Sequence, residues 1–144
     1  MGKGIVYKIC AVRNDRYYSA FVPKEIGCEY ILNEWTEPEV GMLFAFKDIK
    51  YATKFHSKDI PPVVLFKCEA RNVLSVKRLP VKRKIIYYPY NMEQLRTYWK
   101  CDTYSGQAVF PPPTGTVLCD AVFPTELLSP FPKADKKRRT YVSL

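Results

Sequence analysis

The chain has 144 residues, 47% of them hydrophobic, which suits one domain with a real core and argues against global disorder. Lys and Arg total 23 against 14 Asp and Glu, a formal charge of +9, and the single histidine removes most His-based metal and nucleophile chemistry. No apolar run approaches the roughly 18 residues of a membrane span, and no signal-peptide pattern opens the chain, so no membrane partner is expected.

Residues 5–12 alternate as a strand, Asn14-Asp15 is a turn signal, and residues 17–22 resume as a strand, which predicts a hairpin. Residues 28–35 read as a third strand and 36–41, with Pro38 and Gly41, as a loop. Residues 42–46 form a short apolar strand, after which Asp48 can cap a helix over 49–56 that Pro61-Pro62 stops. Ile49, Ala52, Thr53 and His56 share one face of that helix, with Phe55 beside it. Residues 63–70 are almost continuously apolar and predict a central strand.

Residues 73–86 alternate again but contain Pro80, which cannot donate to a ladder, so an edge strand or bulged pair is expected. Asn91 to Gln94 resembles a capping box and starts a second helix over 92–100. Residues 102–115, with three consecutive prolines, read as a loop, and 116–123 as the last strand. This order predicts an α+β domain over residues 1–128, with a mostly antiparallel or mixed sheet and two short helices, followed by a basic tail at 129–144.

The five cysteines (Cys10, Cys28, Cys68, Cys101, Cys119) are widely spaced and include no C-x-x-C pair. Cys10, Cys68 and Cys119 sit in strand-like segments, where a thiol packs as a small hydrophobe. All five are expected to be reduced, in the cytoplasm or another reducing compartment. No metal site and no cofactor are indicated. Glu34, Glu37 and Glu39 surround Trp35 and read first as a solvated acidic loop, with a cation or a basic partner as the alternative.

The charge is concentrated. Lys77, Arg78, Lys82, Arg83 and Lys84 form one segment without an acid, and Lys133, Lys136, Lys137, Arg138 and Arg139 form another with one acid, Asp135. Together these segments account for the whole net charge of +9 and leave the rest of the chain balanced. Clustered cations raise the local potential and attract polyanions. Tyr87 and Tyr88 follow the first segment at once, and Trp99 lies on the second helix. Cations for phosphates beside rings for stacking is the chemistry that holds single-stranded nucleic acid. Such segments also serve as anti-aggregation charge on a sheet edge, or as docking surfaces for an acidic protein.

Residues 41–46, 48–56 with Ala52-Thr53-Lys54-Phe55, and 63–70 resemble a strand–helix–strand unit of ADP-ribosyltransferase-like domains. The stretch 115–128 is similar to that family's closing strand and Pro-x-x-Leu ending. The resemblance implies an NAD-binding cleft near Arg13, Tyr17, Ser19 and Phe44, with Glu69 and Glu126 as candidate catalytic carboxylates beside Arg13. No acid precedes Asp120 in the closing strand, so a degenerate or divergent enzyme is implied. The chain also looks like small uncharacterised proteins of bacteria and their viruses, which implies an accessory role.

Three function classes stand at this point. The first is a basic binding protein for nucleic acid or another polyanion, through Lys77, Arg78, Lys82, Arg83, Lys84, Tyr87, Tyr88, Trp99, Lys136, Lys137, Arg138 and Arg139. The second is an ADP-ribosyltransferase-like protein with NAD as its ligand. The third is a structural or virion subunit that docks through its basic tail.

Overall fold

The computed structural model describes residues 3–20, 27–56, 63–75, 85–86, 91–100, 109–110 and 112–128. Strands β1 (Lys3–Arg13) and β2 (Arg16–Ser19) form the expected hairpin. Its two central residues, Asn14 and Asp15, have φ of 52° and 62°, the left-handed pair that matches the twist of a tight hairpin. The third strand is shorter than the sequence suggests. Only β3 (Glu29–Tyr30) pairs with β2, and the chain then turns at Asn33, φ 63°.

Strand β4 (Leu43–Phe46) leads into helix α1 (Ile49–His56), where the Asp48 carboxylate accepts the Lys50 N–H at 3.2 Å. Strand β5 (Val63–Arg71) is central, between β1 and β10 (Ala121–Leu127). In the alternating stretch at 73–86, residues 76–84 lie outside the described residues. The stretch gives β6 (Leu74–Ser75) at the sheet edge and β7 (Ile85–Ile86), which pairs with β8 (Val109–Phe110) in a separate ladder. Helix α2 (Met92–Lys100) is capped as expected, the Asn91 side chain accepting the Gln94 N–H at 2.9 Å. The closing strand is two, β9 (Thr116–Cys119) and β10, separated at Asp120.

Every ladder among the described residues is antiparallel, and with two helices this is an α+β fold. The break at Asp120 is a bend. Arg71 faces Ala121 and Leu74 faces Leu118, so the β5–β10 ladder runs into the β6–β9 ladder without a change of register. Asn72, φ 52°, lies at the bend, where its side chain donates to the Asp120 carboxylate. Strand β1 lines β5, β4 lines β9, and β1 meets β4 at Tyr7 and Phe46, so the bent ribbon curls the sheet back on itself.

Curling gives the sheet an inner and an outer face. The inner face carries Val6, Cys10, Tyr30, Leu43, Ala45, Val64, Phe66, Cys68, Ala70, Val117, Cys119 and Val122. On the outer face α1 covers Ile9, Phe46, Val63 and Leu65 with Ile49, Ala52 and Phe55. Gly115 makes the approach to α1 possible: it has φ +87°, and a Cβ there would lie 2.3 Å from the Tyr51 ring.

Cys10, Cys28, Cys68 and Cys119 are free thiols, and Cys101 lies outside the described residues. Burial pushes the Cys68 thiol up to about 12 and Cys119 up to about 11, and raises Cys10 as well. The unfolded thiol ionises near 9.0, before the folded one. The stability these thiols hold is therefore complete below that value and is lost as pH rises from it through the folded-state values. The expected loss above pH 9 is about 1.4 kcal/mol per thiol per pH unit. Urea unfolding at about pH 8 and about pH 10 measures it. A midpoint that stays level, or a Cys68→Ala variant with an unchanged pH slope, contradicts the assignment.

Candidate functional site

The basic residues Lys77, Arg78, Lys82, Arg83 and Lys84, the rings Tyr87 and Tyr88, and the tail residues Lys136, Lys137, Arg138 and Arg139 lie outside the described residues. Their attachment points are described. The first segment follows Ser75 on edge strand β6, and the tail follows Leu128, past the end of edge strand β10. The basic segments thus leave from opposite ends of the strand order. Acids and bases nearly balance among the described residues.

Trp99 is the one proposed stacking ring that is described. It is half-buried on α2, with its ring 5.9 Å from Phe44 and 5.2 Å edge-on to Tyr98. A Cβ on Gly41 would fall 2.2 Å from the indole, so that glycine (φ +71°) is the seat on which Trp99 rests. The ring anchors α2 to the sheet.

The residues implied for NAD divide between the two faces. Tyr17 is opposite Val12 and Ser19 opposite Cys10, both on the inner face, where Tyr17 meets Phe66 edge-on at 5.0 Å. Arg13 alternates to the other side of β1, and its Nη1 is buried without a hydrogen-bond partner among the described residues. Phe44 lies between the inward Leu43 and Ala45 and points to Trp99. Glu69 falls in the outer row of Ile5 and Phe123, and Glu126 is opposite Lys67 after a bulge. Strand alternation therefore puts Arg13, Phe44, Glu69 and Glu126 across the sheet from Tyr17 and Ser19.

The inner face holds a polar group that the sequence reading passed over. Lys8 lies between the inward Val6 and Cys10, where β4 parts from β1 and β2 takes its place along the same edge. Its ammonium donates to the Phe44 carbonyl at 2.6 Å and stands 5.5 Å from the centre of the Tyr30 ring. Nearby, Ser19 Oγ accepts the Cys28 N–H at 2.9 Å and lies 3.3 Å from the Tyr30 hydroxyl. Desolvation dominates the thiols of Cys10, Cys28, Cys68 and Cys119, and the Lys8 charge opposes it at all four. The signal was present: the inward positions of β1 read Val6, Lys8, Cys10, Val12, with one cation among apolar residues. This lysine satisfies a carbonyl released where the strands diverge.

Among the described residues no three His, Cys, Asp or Glu side chains gather to hold a metal ion, and no helix is long and apolar enough to cross a membrane. The chain matches no family model, no curated protein and no solved structure.

Proposed function

We propose that this protein binds a polyanion, single-stranded nucleic acid by preference, through its two basic segments. One observation carries the reading: the net charge of +9 belongs entirely to residues 77–84 and 133–139, while the folded body is close to neutral. A basic protein with evenly scattered charge would attract polyanions diffusely. Two dense segments concentrate the potential and the counterions that phosphate contacts release. Tyr87 and Tyr88 supply the stacking part of the interface.

Fluorescence anisotropy at low salt, with labelled single-stranded RNA, single-stranded DNA and duplex DNA, tests the proposal. Binding is expected for the single strands, with little preference for sequence. Absence of binding to all three probes overturns the reading and leaves the segments as docking surfaces for an acidic protein.

A further inference from the structure

Four large apolar side chains are exposed among the described residues: Ile5 (48%), Ile31 (43%), Leu32 (40%) and Trp35 (39%). Three of them belong to the loop that follows β3. The backbone explains why that loop stays flat against the sheet. Asn33 N–H donates to the Pro124 carbonyl at 2.8 Å, and Thr36 and Val122 exchange both backbone hydrogen bonds, at 2.8 and 3.0 Å. The loop thus covers the outer edge of β10.

Trp35 is held from two sides and still reaches solvent. Its ring is 5.2 Å from Phe123, and the Arg71 guanidinium lies 4.5 Å from the ring centre. Arg71 is fixed in turn by an ion pair to Glu37 at 2.8 Å. Phe123 shares the outer row of the sheet with Glu69 and Ile5, so Trp35, Phe123 and Ile5 are parts of one surface. Trp and Arg are among the residue types that dominate binding at protein interfaces.

The stretch of chain that carries Trp35 is acidic. Residues 27–46 contain Glu29, Glu34, Glu37 and Glu39 and no Lys or Arg. Arg16 engages Glu29 and Arg71 engages Glu37, while no ion pair engages Glu34 or Glu39 among the described residues. A complementary partner carries cations and a few apolar groups on an extended segment.

We propose that this face receives the basic C-terminal segment, residues 129–144, of a second copy of the chain. That segment carries Lys133, Lys136, Lys137, Arg138 and Arg139 together with Phe131, Tyr141, Val142 and Leu144. The described chain ends at Leu128, whose N–H is bound to the Leu65 carbonyl past the end of β10, whereas Trp35 packs near the strand's beginning. Strand β10 runs away from the Trp35 face, so the described chain has left that face by Leu128. Each copy has one face and one segment, so two copies can exchange segments reciprocally in a closed two-fold dimer. The inference does not depend on nucleic-acid binding, since it uses the same cations against a protein surface.

Sedimentation velocity of the nuclease-treated full chain over a range of concentrations tests it. The mean mass should rise toward a dimer with concentration. It should fall again on adding excess synthetic peptide 129–144, or about 0.5 M salt, which screens exposed pairs. Glu34→Lys, on the exposed loop, and Trp35→Ser should each raise the concentration needed for association by about tenfold, with unchanged circular dichroism. The Glu34→Lys result stands alone if the Trp35 variant does not fold. A chain that stays monomeric throughout, as it would with its own segment folded back, overturns the proposal. So does association that ignores both substitutions or the peptide.

Discussion

Truncating Phe66 to alanine is expected to cost about 3–5 kcal/mol of folding stability, the range for removing a fully buried aromatic ring. Phe66 has no exposed surface and sits on the central strand β5, opposite Lys8 on one side and Leu127 on the other. Its ring also supports Tyr17 of β2, edge-on at 5.0 Å. One residue therefore joins the β1–β2 hairpin to the ribbon made by β5 and β10. The cavity cannot collapse readily, because backbone ladders fix β5 on both sides. Urea unfolding should show a midpoint lowered by that energy with an unchanged slope; a cost under about 1.5 kcal/mol would mean that the inner face is loosely packed.

Gly41→Ala is expected to cost about 2–4 kcal/mol, from a left-handed residue without glycine's freedom and from overpacking against a ring. The backbone at Gly41 has φ +71°, and the added carbon would lie 2.2 Å from the Trp99 indole. The ring cannot simply turn away, because Phe44 and Tyr98 confine it. Helix α2 must shift, so the effect should appear as altered tryptophan fluorescence as well as lost stability. A Gly41→Ala protein with native emission and native stability would contradict the seat described for Trp99.

Most elements were legible because their local chemistry agreed with their place in the fold. Asn14-Asp15 supplies left-handed residues for the first turn, Asp48 and Asn91 cap the two helices, and the apolar run of β5 belongs to a strand covered on both faces. What was not legible depends on contacts distant in sequence. Nothing local marks Asp120 as a bend, because the bend is set by Asn72 and Arg71 across the ribbon. The short β3 has the same origin: residues 33–36 give up β2 in order to pair with β10. Alternation about β1 was enough to separate Arg13 from Tyr17 and Ser19, yet only the register of β4 and β5 shows Phe44 and Glu69 on the same side as Arg13. Trp99 read as a stacking ring because its partner Gly41 is far away in the chain. The charge segments were legible as composition alone.

The most direct test of polyanion binding is the salt dependence of anisotropy with a labelled single strand, compared between the full chain and a Lys82→Gln, Arg83→Gln, Lys84→Gln variant. Each phosphate contact releases counterions and adds about −0.7 to the slope of log affinity against log salt. A steep slope is expected for the full chain, reduced by about two units in the variant. Tyr88→Ala should instead weaken binding by about 1–3 kcal/mol and leave the slope nearly unchanged, since stacking releases no counterions. A slope that is flat in the full chain, or equal in the full chain and the charge-neutralised variant, would show that these cations do not contact phosphate.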